Sequence, residues 1–223
     1  RLDEFDPASP AVPVADRPEM DRWILSNLQA LVTTCRDSLS EFNAAEACRA
    51  TAALIDDLSN WYIRRNRRRF WRSRDEDTGD GGRDKLAAYQ TLHTVLVTLS
   101  KLVAPMIPFL AERMYRNLVA GNDPDSDDSV HLNDYPQADP GLLDPELNQR
   151  MATAQQVVRL GHRLRDESNQ RVRQPLPELR FSTADSARLA AVGPLAEVIA
   201  EELNVKQVTA CESLDELVRY VYK

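Results

Sequence analysis

A dense cluster of arginine residues is the feature of this sequence best suited to chemistry. Seven Arg lie within the eleven residues from Arg64 to Arg74, with no acid among them: Arg64, Arg65, Arg67, Arg68, Arg69, Arg72 and Arg74. Trp61 and Trp71 lie beside them. A guanidinium group donates two hydrogen bonds in a geometry that matches phosphate, and a neighbouring aromatic ring can stack on bases or sugars. The combination is typical of contact with RNA.

The cluster is predicted to lie on a helix, where its residues form two adjoining rows. One row contains Trp61, Arg65, Arg68 and Arg72, and the other contains Asn60, Arg64, Arg67 and Trp71. The apolar seam of this helix is predicted to contain Ala47, Ala50, Leu54, Leu58 and Trp61. Arg65 continues this seam, so we expect its stem to pack while its charged head pairs. The residues predicted to contact RNA are therefore Arg64, Arg67, Arg68, Trp71 and Arg72.

A second basic group follows near the end of a later helix and gives a weaker indication. Its members are Arg159, His162, Arg163, Arg165, Arg171 and Arg173. Basic residues near a helix C-terminus are also favoured by the helix dipole, so a structural use is at least as well supported for the group. Arg171 and Arg173 are kept as secondary candidates for RNA contact.

A helical protein-interaction or scaffold module is the alternative function. In that case Trp61, Tyr62, Phe70 and Trp71 are core residues, and the Arg row pairs with some of the 35 acids of the chain, with an acidic partner, or with the acidic loop 123–128. For a single Arg this alternative is the better one. For seven together, without local acids, RNA binding is favoured.

Composition and motifs exclude several other classes. The formal net charge is -7, and 43% of the residues are hydrophobic, which argues for a globular chain. No run of 18 apolar residues predicts a membrane span, and the acidic, proline-containing start is unlike a signal peptide, so we expect a cytoplasmic protein. The three Cys are widely spaced, and we find no metal site, catalytic constellation or phosphate-binding glycine loop. We expect no cofactor in this segment and no binding to DNA.

The spacing of apolar residues predicts a mainly α protein whose five antiparallel helices enclose one core. Residues 1–17 are expected to be a linker, and residues 18–170 to form the bundle. The first helix begins at Pro18. The second begins at Asn43 with a capping box to Glu46 and with Phe42 packed on Ala47, and it continues into the Arg cluster. The third ends before Pro105. A fourth helix follows that proline, and its apolar positions are Ile107, Leu110, Met114 and Leu118. The fifth helix covers about 145–169, and the predicted seam along it contains Leu147, Met151, Ala154, Val158, Gly161 and Leu164. Residues 122–145 are expected to be a weakly ordered connector.

Residues 171–223 are predicted to form a small α+β unit with the order β-α-β-β. Its elements are a strand at 179–182, a helix at 186–203 broken at Gly193-Pro194, and strands at 205–210 and 217–222. A unit of this size is near the lower limit for independent stability, so we expect it to pack on the bundle or to be truncated.

The segment Asp57–Trp71 resembles the Arg-rich helix in the anticodon-binding bundle of the isoleucyl-tRNA synthetases, a family of class I ligases. Other similar segments follow the family's order along the chain, so the resemblance covers about residues 18–223: Met20–Ser26, Leu102–Glu112, Ser129–Leu132 and Arg171–Leu176. The equivalent domain of a valyl or leucyl synthetase stays open as an alternative.

The resemblance implies that this chain is a fragment of an enzyme that joins isoleucine to tRNA(Ile) with ATP and Mg²⁺. The motifs of the adenylate-forming domain are absent, so the fragment is expected to be non-catalytic and to have catalytic and editing domains upstream. The bundle would dock the anticodon arm. Arg contacts to phosphate carry little sequence information, so the expected role is positioning of the RNA backbone.

Overall fold

The computed structural model describes residues 5–71, 80–120, 126–183, 185, 189, 192–211 and 217. The chain divides into two compact units, Arg1–Asp144 and Pro145–Lys223. In the described ranges the fold is mainly α with one small parallel sheet, as predicted. The domain boundaries at 17/18 and 170/171 stay predictions.

The first two helices begin where the sequence predicts. Helix α1 spans Glu19–Ser40, and α2 spans Ala44–Asp57, with the Asn43 side chain accepting a hydrogen bond from the Glu46 amide. The second half of the predicted capping box does not form between these two described residues, because the Asn43 amide donates to the Ser38 carbonyl at 2.7 Å and the Glu46 carboxylate pairs with Arg49. The cap therefore forms on one side only.

The turn between α1 and α2 exposes the ring of Phe42. The predicted packing of Phe42 on Ala47 is wrong, because the Phe42 side chain is 97% exposed. Phe42 has φ 58°, and the backbone hydrogen bond from Asn43 to Ser38 closes the end of α1 around it. This left-handed position at a helix C-terminus usually carries glycine, and it turns the ring towards solvent.

A π-helical turn, Leu58–Ile63, follows α2 directly, and the short helix α3 spans Arg67–Trp71. The buried residues along this path are spaced by four: Leu54, Leu58, Tyr62, Asn66 and Phe70. In a regular α-helix such a series would rotate by about 160° over its length and leave the core. The π turn offsets much of this rotation. Tyr62 is therefore buried, whereas the predicted seam had Trp61 at this turn.

Helix α4 spans Asp80–Val103, and α5 spans Pro108–Tyr115, followed by a second π-helical turn at Arg116–Ala120. The predicted stop before Pro105 is confirmed. The predicted apolar face of α5 is wrong by one position, because Leu110 is 54% exposed whereas Ala111 and Tyr115 are buried. The small Ala111 and the ring of Tyr115 pack in a cluster with Val103, Ala104 and Val130.

The connector 126–144 is held in place by hydrogen bonds, so the expectation of weak order is wrong for these residues. Glu112 accepts from the Ser129 hydroxyl at 2.8 Å and from the Val130 amide at 3.0 Å, and Val130 is buried. Further bonds join the Asp139 amide to Gln29 and the Asp144 amide to Ser26. The connector is thus tied to both α5 and α1.

Residues 5–17 lie against α4. The Val12 amide donates to the Gln90 side chain, whose amide nitrogen donates to the Pro10 carbonyl, and the Phe5 ring stacks on Tyr89 at 5.5 Å. This segment therefore belongs to the packed part of the first unit.

The second unit contains α6 (Pro145–Glu167), β1 (Leu176–Phe181), α7 (Ala196–Leu203) and β2 (Val205–Ala210). The two strands are parallel, with Leu176 opposite Val205 and Phe181 opposite Ala210. The first predicted strand is confirmed, although it begins earlier, and the second has the predicted bounds. The predicted third strand and most of residues 186–191 lie outside the described residues.

The buried seam of α6 differs from the prediction at its last position. Leu147, Met151, Ala154, Val158 and Gly161 are buried as expected, but the seam ends on Arg165 rather than Leu164. Leu164 is 58% exposed, whereas Arg165 is 4% exposed. The alternating steps of four and three along the seam lead to position 165.

Candidate nucleic-acid interface

One exposed face runs along the π turn and α3. Asn60, Arg64, Arg67 and Trp71, predicted as one row, are all exposed. Arg68 of the adjoining row is exposed as well, whereas Trp61 and Arg65 are half-buried. Arg64 donates from its Nε to the Asn60 carbonyl at 2.7 Å, which directs its side chain back along the helix.

Arg67 and Trp71 form a stacked pair at the end of this face. The guanidinium carbon of Arg67 lies 4.0 Å from the centre of the Trp71 ring. The two residues are four apart on α3, the spacing at which helical side chains meet. Such cation–π pairs are favourable even when solvent-exposed. Trp71 is still 72% exposed, so the pair presents an indole to solvent with one side held by a cation.

Arg69 belongs to the same cluster but points inward. Its two terminal nitrogens bind the Asp21 carboxylate at 2.7 and 2.8 Å, and one of them also contacts Asp84 at 2.9 Å. Asp21 is fully buried and accepts a further hydrogen bond from the Tyr62 hydroxyl at 2.8 Å. This network joins α1, the π turn, α3 and α4.

The electrostatics of the network follow from burial and charge. Burial lowers the pKa of the Arg69 guanidinium, but the hydrogen bonds and charges of Asp21 and Asp84 outweigh it, and the pKa is raised. Burial, followed by the charge of Asp21, raises the pKa of the Tyr62 hydroxyl. Arg69 therefore stays charged, Tyr62 stays neutral, and both anchor the helix that carries the exposed face.

Arg17 is a second inward-facing cation. It is 8% exposed and donates to the Val12 carbonyl and to the Thr91 hydroxyl at 2.8 Å. Burial lowers the pKa of its guanidinium, and the charge of Asp21 partly offsets this. Its role is to hold the segment before α1 against α4.

Arg165, in the second unit, also has a structural role. Its guanidinium donates to four backbone carbonyls: Arg171, Gln174, Leu203 and Asn204. These carbonyls belong to the loop after α6 and to the end of α7, so Arg165 joins the two. The α6 seam periodicity could have revealed this burial, because position 165 continues its steps.

The predicted contact residues are thus placed as follows. Arg64, Arg67, Arg68 and Trp71 lie together on one face, and Arg171 and Arg173 are exposed on the loop after α6 in the second unit. Arg72 lies outside the described residues. Within the described ranges no group of three His, Cys, Asp or Glu could hold a metal ion, and no helix has the length and apolar character needed to cross a membrane.

Comparison with known proteins identifies the family. The sequence profile of the anticodon-binding domain of tRNA ligase matches residues 21–180. The chain belongs to this family. It is 42% identical over 211 residues to an isoleucine–tRNA ligase of Dehalococcoides mccartyi, 45% over 193 residues to one of Thermobifida fusca, and 40% over 220 residues to one of Thermus thermophilus.

These alignments cover 95%, 86% and 98% of this chain, but only 20%, 17% and 20% of the respective relatives. This anticodon-binding domain therefore spans about a fifth of the length of the ligases it matches. The matched range includes the π turn, α3 and Asp21. It also includes the loop with Arg171 and Arg173.

Proposed function

We propose that the exposed face formed by Arg64, Arg67, Arg68 and Trp71 docks the anticodon arm of tRNA(Ile). The observation that carries this proposal is the concentration of exposed guanidinium groups and an indole on one face of a chain whose net charge is -7. Guanidinium groups on such a face bind phosphates and position an RNA without reading its bases. Arg72, Arg171 and Arg173 are proposed as further contacts.

We further propose that the whole enzyme is an isoleucine–tRNA ligase of the cytoplasm that uses ATP and Mg²⁺. In that enzyme this domain positions the tRNA, and catalytic and editing domains elsewhere in the chain do the chemistry. The names of the relatives support isoleucine as the amino acid. By itself the 223-residue chain is expected not to aminoacylate and not to bind DNA specifically.

A titration of the chain with an isoleucine-accepting and a valine-accepting tRNA, at two salt concentrations, tests the proposal. The test variant changes Arg64, Arg67 and Arg68 to Ala. The control variant changes Arg49, Arg113 and Arg116 to Ala, because these exposed residues of the same unit lie outside the proposed face and alter the net charge equally. We expect the test variant to lose at least ten-fold in affinity and the control variant less than three-fold.

Each outcome assigns a role. Tighter binding of the isoleucine tRNA by the wild type, lost in the test variant, would place discrimination on this face. Equal binding of both tRNAs, lost in the test variant, would limit the face to backbone positioning. Equal losses in the test and control variants would contradict the proposed face, since binding would then follow net charge alone. A double variant, Arg171→Ala with Arg173→Ala, tests the secondary contacts in the same way.

A further inference from the structure

Trp71 is unusual among the aromatic residues of its segment. Tyr62 and Phe70 are buried, and their rings pack edge-to-face at 6.2 Å, whereas the Trp71 side chain is 72% exposed. A large apolar ring usually packs in a core or an interface. The exposed position of the Trp71 ring among cations is therefore best explained by contact with a ligand.

Arg67 gives the exposed indole a fixed orientation. Its guanidinium group covers the ring at 4.0 Å, and both residues lie on the same short helix. That helix is anchored through Arg69, whose guanidinium holds the buried Asp21 carboxylate with two hydrogen bonds. An exposed ring that is already oriented loses little conformational freedom when a flat ligand stacks on it.

The surroundings of Trp71 define the chemistry of this ligand. A flat aromatic group can stack on the indole, and the exposed guanidinium groups of Arg64 and Arg68 on the same segment can bind anions beside it. A nucleotide combines both features, a flat base and a flanking phosphate. Inside an RNA duplex both faces of each base are covered by neighbouring pairs, and only the outer faces of the terminal pairs are open, so away from duplex ends a base for stacking comes from an unpaired nucleotide.

We infer that Trp71, held by Arg67, is a stacking platform for one unpaired nucleobase of the bound RNA. This inference rests on the proposed function and makes it more specific, because it assigns to the face a single-stranded element of the RNA as well as phosphates. Stacking tolerates any base, so the platform requires an unpaired nucleotide and does not select its identity.

The test compares two RNAs with the same number of phosphates. One is a hairpin whose stem closes a single-stranded loop, and the other is a blunt, fully paired duplex. We expect Trp71→Ala to weaken hairpin binding about ten-fold, since loss of one stacked base has an effect of this order, and to change duplex binding less than two-fold. Trp71→Phe, which keeps a ring, should recover most of the hairpin affinity. Phe109→Ala removes an aromatic ring that is 90% exposed elsewhere in the first unit and should change neither affinity.

Intrinsic fluorescence gives a second readout that a purely structural role would not alter. In a Trp61→Phe background the remaining indoles are the buried Trp23 and the exposed Trp71. A base stacked on Trp71 should quench the emission when the hairpin binds, and the duplex should not. The quenching should disappear when Trp71 is also changed to Phe.

The results separate this inference from the proposed function. Equal losses for hairpin and duplex in Trp71→Ala, or no loss for either, would overturn the platform, while the Arg64, Arg67 and Arg68 variant could still show that the face binds RNA. Absence of binding of either RNA to the wild type would overturn both.

Discussion

At the scale of single residues, arginines of one cluster have opposite roles. Arg69 binds a buried carboxylate, whereas Arg64, Arg67 and Arg68 are exposed. The difference arises from Asp21, which lies 48 positions earlier in the chain. The exposed arginines form the candidate interface, and the inward-facing Arg69 anchors the helix that carries it.

Asp21→Asn is expected to lower the free energy of unfolding by about 3 kcal/mol, because it removes the buried one of the two carboxylates that pair with Arg69 and creates no cavity. Urea unfolding measures this change. Asp16→Asn is the matched control, since Asp16 pairs with Arg83 at 2.6 Å but both side chains are more than half exposed. The control should change stability by less than about 1 kcal/mol. Similar effects of the two changes would show that the buried pair is not a principal contact.

The raised pKa of Tyr62 predicts a loss of stability in alkali. An unfolded tyrosine releases its proton near pH 10, whereas the folded Tyr62 keeps its proton at that pH. Above about pH 10 the unfolded state therefore binds fewer protons, and the free energy of unfolding falls as pH rises, by about 1.4 kcal/mol per pH unit from this residue. Chemical unfolding at a series of pH values, for the wild type and Tyr62→Phe, measures the difference. Parallel curves above pH 10 would contradict the prediction.

The sequence predicts which of these residues are exposed better than it predicts the partners of the others. An Arg-rich helical segment indicates phosphate binding, and the row that contains Asn60, Arg64, Arg67 and Trp71 is exposed. No local pattern separates Arg69 from its neighbours, because its burial depends on a carboxylate of another helix. Arg165 is a different case, since the steps of four and three along its own seam lead to position 165, although the predicted seam ended on Leu164.

At the scale of elements, helix ends are encoded locally. Pro105 stops α4, and Asn43 caps α2, so both boundaries follow from one or two residues. The orientation of a helix beyond a π turn depends on packing, which local spacing does not show. For this reason the seam predicted from spacing contained Trp61, whereas the buried residue in the structure is Tyr62. The same limit applies to α5, whose buried face is one position away from the predicted one.

The turn between α1 and α2 gives a prediction at this scale. Phe42→Gly should raise the free energy of unfolding by about 1 kcal/mol, because glycine adopts the left-handed conformation without the steric cost that Phe42 has at φ 58°. Phe42→Ala removes the exposed ring but keeps a Cβ, so it should not give this gain. Thermal or urea unfolding of both variants distinguishes relief of backbone strain from loss of the ring. An equal gain in both would assign the effect to the ring.

At the scale of the whole molecule, a chain with a net charge of -7 is proposed to bind a polyanion. Binding of a polyanion by an acidic chain requires a local concentration of basic side chains, here Arg64, Arg67 and Arg68. The number of phosphates that they engage should therefore be small. We expect the logarithm of the association constant to fall with the logarithm of salt concentration with a slope of about -2 to -4, which corresponds to about three or four phosphates.

Arg68→Gln should reduce the magnitude of this slope by about one unit, since it removes one phosphate contact. Arg113→Gln, an exposed change on α5, should leave the slope unaltered. Filter binding or anisotropy at several salt concentrations provides both slopes. A slope that responds equally to the two changes would indicate diffuse attraction without a defined face.

The π turn also determines where the chain can change in length. Deletion of the exposed Ser59 from Leu58–Ile63 can convert the π turn into an ordinary α turn. Tyr62 and Phe70 would then stay buried, and the face formed by Arg64, Arg67, Arg68 and Trp71 would stay exposed. Deletion of the exposed Ala53 from α2 would instead rotate every later residue of the helix by about 100° relative to the core. The first variant should fold and bind RNA, and circular dichroism with RNA titration should find the second variant destabilised and unable to bind. The π turn is therefore the place in this helical path where we expect the loss of one residue to be tolerated.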